Sequence, residues 1–244
     1  MKMNGVEVKH IELAKIPVTI IEPKEKNGKG LIWYHGWGAE RKSQEFRCNT
    51  FASFGYTVLM PDSPYHGERG TVDYDDEKSM KEFMPKSIVE TMDEFPTLIK
   101  EFSQYAEIPE GEIFVSGHSM GGMVSGAIVA NYPQAKGAIP FNGILDWNGF
   151  LEGFQEGDTD AEVKEAFEAY NPIGHLDTLA DRPLCMLNGE NDTNISAKGQ
   201  EAFYKEAKKF YKDDEKIYFE AFGQTGHVTT TNMMEVAVNF MEKM

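Results

Sequence analysis

The chain is poor in cysteine, poor in positive charge and free of any long apolar run. Two cysteines, Cys48 and Cys185, occur in 244 residues. That is too few for a disulfide framework, so a reducing compartment is the simpler setting. Lysine and arginine number 24 against 40 aspartates and glutamates, a formal charge of -16. Such a balance argues against sequence-independent nucleic-acid binding, which needs a basic surface. Strongly anionic substrates are disfavoured too, although local groups such as Arg47 and Arg69 set the field inside a cleft. The opening residues Met1-Lys2-Met3-Asn4-Gly5-Val6-Glu7 lack the apolar core of a secretion signal, and no later segment approaches the length of a membrane span. The expectation is a cytoplasmic protein with no membrane or nucleic-acid partner; a homo-oligomer is left open.

What is present is an alternation of short apolar runs with helix-period segments, the pattern of a mainly parallel sheet covered by helices on both faces. A single α/β domain over residues 1–244 is expected. Val6 to Pro23 alternates like one or two antiparallel strands. Buried strands follow at Leu31 to Tyr34, Tyr56 to Met60, Glu112 to Ser116, Ala138 to Phe141, Leu184 to Leu187 and Ile217 to Ala221. Helices are expected around Arg47 to Phe54, Ser87 to Tyr105 with Pro96 bending or dividing it, Ala197 to Lys212, and Thr230 to Met244. Gly143 to Tyr170 breaks the repeating unit. Trp147, Phe150 and Phe154 recur there at helical spacing before an acidic stretch, which makes residues 143–170 a candidate cap insertion over the site mouth. The alternative is an extra helix docked on the core by those aromatics.

Gly117-His118-Ser119-Met120-Gly121 lies between the strand pattern Ile113-Phe114-Val115 and a small-residue helix pattern, as a nucleophile elbow requires. It nominates Ser119 as nucleophile. A serine hydroxyl needs a histidine base and a carboxylate to orient that base. His227 alone follows the final strand, and Asp192, in the loop after Leu184 to Leu187, is the acid of choice, with Glu190 its local rival. His35 and His66 read as hydrogen-bonding residues at strand ends, His118 is expected to point away from the hydroxyl, and His175 reads as a surface or cap residue. Two amides must hold the oxyanion; Met120, after the nucleophile, and Trp37, in His35-Gly36-Trp37-Gly38, fit. Trp37, Phe141, Trp147 and Phe150 are the candidate substrate-binding side chains.

Gly117 to Gly122, His35 to Gly38, Asp192 and His227 together resemble the serine α/β-hydrolase superfamily. Met60 to Arg69, reading Met-Pro-Asp-Ser-Pro-Tyr-His-Gly-Glu-Arg, is similar to the strand-end segment of small bacterial carboxylesterases related to the dienelactone hydrolase and prolyl oligopeptidase branches. The resemblance implies an α/β-hydrolase fold with an eight-stranded, mostly parallel sheet. It also implies a small-molecule ester substrate and an acyl-enzyme mechanism with no metal or other cofactor. The chain departs from dienelactone hydrolases proper in having serine rather than cysteine as nucleophile, and from full prolyl oligopeptidases in having no propeller domain. A peptidase or an acyltransferase could use the same three residues, and a non-catalytic binding protein could keep the scaffold.

Overall fold

The computed structural model describes residues 5–155 and 157–244. Eight strands form one sheet in the order β1-β2-β4-β3-β5-β6-β7-β8. They are β1 (Val6–Leu13), β2 (Ile16–Pro23), β3 (Gly30–Tyr34), β4 (Thr57–Pro61), β5 (Ile113–His118), β6 (Ala138–Phe141), β7 (Leu184–Gly189) and β8 (Ile217–Phe222). The sheet is mixed rather than wholly parallel: β2 runs antiparallel to both β1 and β4, while β3 to β8 pair in parallel. The β1–β2 hairpin turns on Ala14 and Lys15, with φ of 53° and 62°. Two successive positive φ angles make a turn whose twist suits a hairpin, here without the Asn-Gly pair that would announce it in a sequence.

Side chains alternate across each buried strand, so Ile32 and Tyr34 of β3 enter one core while Leu31 and Trp33 enter the other. The first core is covered by α2 (Glu77–Ala106) and α3 (Met120–Asn131), the second by α1 (Glu45–Ser53) and α8 (Thr231–Lys243). Between α3 and α8 the chain forms α4 (Asn148–Gly153), α5 (Ala161–Ala169), α6 (Leu176–Leu179) and α7 (Ala197–Ala207). Among the described residues no helix is long and apolar enough to cross a membrane.

Helix α2 is longer than its sequence suggests. It starts ten residues before Ser87, capped by Asp76, whose carboxylate accepts from the Ser79 amide at 2.8 Å, and it runs unbroken past both Pro85 and Pro96. An interior proline costs about 3 kcal/mol. Against that, Ile88, Met92, Phe95, Leu98, Ile99 and Phe102 are all buried, and each contributes about 1.5–3 kcal/mol. Packing therefore outweighs both breaks.

Segment 143–170 holds α4 and α5 and lies along α2. Lys86 meets Asp160 at 3.0 Å, Lys81 meets Asp158 at 3.9 Å, and the Tyr170 hydroxyl reaches Asp93 at 2.5 Å. Trp147 is wholly buried, stacked on Phe167 with ring centroids 4.6 Å apart. It docks the segment and offers no surface to a ligand. Phe141 is also wholly buried, against Trp33 at 5.4 Å in the core beneath α1 and α8. The sequence assignment of these two as substrate contacts is corrected: Trp147 faces Phe167, and Phe141 points to the face of the sheet opposite the cap segment. Phe150 differs, as it lines a cavity with Met80, Met84 and Phe154.

Where β4 ends, the Asp62 carboxylate is buried and pairs with the guanidinium of buried Arg41, accepts from the Arg41 amide at 2.9 Å and from the Glu68 amide at 3.0 Å. This pair ties the chain after β3 to the chain after β4. A Cβ on Gly67 would sit 2.4 Å from that carboxylate, so the turn must carry glycine there. Removing Asp62 strips the Arg41 and Glu68 amides of their acceptor and leaves the buried guanidinium only the half-exposed Glu68 carboxylate, at 2.8 Å, as counter-charge. Asp62→Ala is expected to lower unfolding free energy by about 3–5 kcal/mol, with Arg41→Met/Asp62→Leu recovering most of it. A denaturant titration in which the single variant loses less than about 1 kcal/mol would show that the pair does not hold these loops.

Candidate active site

Ser119 follows β5 directly and precedes α3, with φ of 58° and ψ of -119°. A non-glycine residue reaches this region only when its surroundings enforce it. Here they do. A Cβ on Gly121 would stand 2.1 Å from the Tyr34 carbonyl oxygen, and one on Gly117 would stand 2.4 Å from the same atom. The Ser119 amide donates to the Phe141 carbonyl at 2.9 Å, fixing the turn against the end of β6. Gly36 closes the other side: a Cβ there would lie 3.3 Å from Ser119 Cβ.

Asp192 and His227 meet. His227 Nδ1 lies 2.6 Å from Asp192 Oδ2, and the Asp192 side chain is fully buried while His227 stays 20% exposed. An ionised carboxylate only accepts, so Nδ1 carries the proton and Nε2 keeps its lone pair. The other Asp192 oxygen accepts from the Asn194 and Ile195 amides, both at 2.9 Å. Glu190 is exposed, its carboxylate 3.5 Å from where a Cβ on Gly223 would be, and it takes no part in the pair. The loops carrying the two residues are laced together: Asn191 N donates to Thr225 O at 2.8 Å, and a Cβ on Gly189 would meet Gly226 O at 2.2 Å.

His118 does not leave the site. Its ring packs on His227 with centroids 4.7 Å apart, which places His227 beside the residue preceding Ser119. Burial, then the neighbouring His227, pushes the His118 pKa down to about 3. Its ring is therefore neutral at ordinary pH.

The Trp37 loop is built by two further histidines. His35 Nδ1 bonds the Gly36 carbonyl at 2.9 Å, and its Nε2 accepts from the Ser63 amide at 3.0 Å. His66 Nδ1 bonds the Pro64 carbonyl at 2.9 Å, and its Nε2 accepts from the Gly38 amide at 3.1 Å. Burial holds the His35 pKa at about 4 and lowers that of His66, keeping both acceptors unprotonated. Trp37 is edge-on to His66 and Tyr74, and its indole N–H donates to Tyr74 O at 3.1 Å. Gly38 N is committed to His66 and Ala39 N to Gly36 O, and among the described residues no backbone carbonyl takes the Trp37 amide. Met120 opens α3, where the first N–H groups have no acceptor within the helix.

His175, bonded to Ala169 O at 2.7 Å, lies just beyond segment 143–170. Arg69 is clamped by Glu94 at 2.5 and 2.8 Å, and Arg47 lies over Trp33 at 5.5 Å. Sequence reasoning passes over Asn142, which reads as an ordinary turn residue before Gly143, yet its side chain joins the Asp192 and His227 loops.

This sheet order, with a strained serine between a central strand and a helix and a paired carboxylate and imidazole at later strand ends, defines a serine hydrolase of the α/β-hydrolase fold. Esterase YjfP of Escherichia coli (strain K12) is 26% identical over 208 residues, covering 79% of this chain and 81% of its own. The crystal structure of TT1662 from Thermus thermophilus matches at a TM-score of 0.83 and 20% identity, over 100% of this chain and 98% of that one. Acylaminoacyl peptidase of Pyrococcus horikoshii matches at 0.74 and 16% identity, over 99% of this chain and 42% of its own. The two structural likenesses bear on fold alone. The family profile of the prolyl oligopeptidase family covers residues 41–242, and the chain belongs to that family.

The depressed histidines give a pH signature. Unfolded histidine binds a proton below about pH 6.5, whereas His118 in the folded protein does so only near pH 3. Within that window the unfolded state holds the extra proton, so stability falls as pH falls. His118→Gln should remove about one proton from the slope of unfolding free energy against pH between pH 6.5 and 4.5. Parallel slopes for variant and wild type would refute the depressed value.

Proposed function

We propose that the chain is a serine carboxylesterase acting on small esters through an acyl-enzyme. The observation that carries this reading is the 2.6 Å pair of Asp192 and His227 brought beside the elbow that presents Ser119. Kinship with an Escherichia coli esterase supports the ester class. Ser119 Oγ attacks the carbonyl carbon and passes its proton to His227 Nε2, while Asp192 stabilises the resulting imidazolium. His227 then gives that proton to the departing alkoxide. Water, deprotonated by the same nitrogen, releases the acid. The Trp37 and Met120 amides hold the oxyanion, with the N-terminus of α3 adding its dipole. Two buried free thiols, Cys48 and Cys185, suit the reducing cytoplasm, and we read residues 143–170 as a cap within one domain.

The acyl group is assigned to the cavity of about 220 Å³ between the first turns of α2 and α4, lined by Met80, Met84, Phe150 and Phe154 with Lys81 at its edge. Helix α4 follows β6, and α2 follows the loop that receives the Trp37 indole, so both walls rise from the strand ends that carry Ser119. Its apolar walls suit a short or medium alkyl chain.

With p-nitrophenyl esters, Ser119→Ala is expected to lower kcat by roughly 10³-fold or more, with the fold intact by circular dichroism. Unchanged turnover would sink the assignment, and faster cleavage of a matched peptide amide than of its ester would move it to peptidase. Gly153 has open space where a Cβ would be. Gly153→Phe should therefore reduce hexanoate turnover about tenfold relative to acetate; equal effects on both esters would remove the acyl chain from this cavity.

A further inference from the structure

The end of β6 touches the segments that carry Ser119, Asp192 and His227 through two adjacent residues. Phe141 O accepts the Ser119 amide at 2.9 Å. Asn142, wholly buried with φ of 46°, directs its side-chain amide to two other loops. Its Oδ1 accepts from the Gly189 amide at 2.7 Å, and its Nδ2 donates to the Val228 carbonyl at 2.8 Å. Gly189 O in turn accepts the Asp192 amide at 3.2 Å, and Val228 is bonded to His227 in the chain. The Asn142 backbone amide donates to Leu187 O at 2.8 Å, so its own position is fixed by β7.

We propose that Asn142 is a positioning residue that sets the Asp192 loop and the His227 loop at their working separation. The inference rests on the esterase reading for its kinetic test but not for its spectroscopic one. Both partners are backbone groups of opposite polarity, and a primary amide presents an acceptor and a donor side by side. Aspartate would keep the Gly189 bond and set an oxygen against the Val228 carbonyl. An alanine methyl would fill neither role and would strain a left-handed residue, whereas glycine accepts the backbone angle and deletes both bonds. The effect reaches the chemistry only through Asp192 and His227, so substrate binding is spared.

The variant Asn142→Gly is measured beside wild type, with active Ser119 counted by phosphonate titration so that unfolded protein is excluded. The expected result is a kcat per titrated site reduced about 10- to 100-fold with KM within about twofold, since small misplacement of reacting groups costs that much. Asn142→Asp, which retains one bond, should fall in the same direction and serves if the glycine variant does not fold. Asn188→Ala is the control: among the described residues the side chain of this neighbouring buried amide bonds only Gly143 O, at 3.2 Å, and its loss should leave kcat near wild type. An Asn142→Gly kcat within about twofold of wild type overturns the proposal. Proton NMR gives a second reading that needs no turnover. The low-field resonance of His227 Nδ1–H on Asp192, assigned by its loss in His227→Gln, should be present in wild type and lost or broadened in Asn142→Gly. Its persistence unchanged, or its absence from wild type, overturns the proposal even if no ester is hydrolysed.

Discussion

The backbone of β3 and the first turn of α3 approach so closely at Tyr34 and Gly121 that no side chain fits between them, and the geometry of the rest of the site descends from that contact. The Tyr34 carbonyl lies where a Cβ on either Gly117 or Gly121 would be. Bringing helix and strand together at that separation forces the connecting residue into positive φ, and Ser119 stands at the crest. A single strained residue costs on the order of 1–3 kcal/mol. The buried strands on either side supply many times that, since Val115, Ile32 and Phe114 are each fully buried and each contributes about 1.5–3 kcal/mol. Strain persists because the sheet, rather than the turn, decides the conformation.

Those parts of the molecule governed by local chemistry were legible in the amino-acid order. Strand β6 runs over the residues expected of it, α8 begins within one residue of the Thr230 expected to open it, and the spacing of glycines about Ser119 reports a backbone crossing that only glycine permits. What stayed hidden depends on neighbours distant in sequence. Pro96 reads as a bend or division of the helix, yet the burial of one long apolar face carries α2 through it and through Pro85 as well. Ala14 and Lys15 give no hairpin signal. Phe141 and Trp147 look like candidates for a binding wall, and only the direction of β6 and the stacking of Phe167 send them elsewhere. Asn142 carries no motif at all, because its partners are backbone groups that any sequence would offer.

Charge is distributed unevenly between surface and interior. The chain is strongly acidic, but the elements around the strand ends are held by neutral imidazoles and by one compensated pair. His35 and His66 work as acceptors for backbone amides, a role that a protonated ring cannot fill. Two loops with only short 3-10 turns thus gain satisfied backbone groups of the kind that a strand or α-helix provides. The Trp37 segment is held in place by side-chain hydrogen bonds rather than by pairing with a neighbouring strand.

Gly143 lies one residue beyond Asn142 and packs its backbone against Gly122 of α3, so that a Cβ on Gly122 would meet Gly143 Cα at 3.0 Å. Here the chain departs for α4 and α5, and it rejoins the frame at Tyr170, whose carbonyl accepts from the Asn131 side-chain amide of α3 at 3.1 Å. Both ends of the excursion are consequently anchored on the rigid frame before the variable stretch begins. Changes between these two anchors that keep Trp147 and Phe167 buried can reshape α4 and α5 without displacing the strand ends that carry Ser119, Asp192 and His227. A fold organised in this way separates inheritance of its chemistry from diversification of its appetite, and the two can drift at different rates.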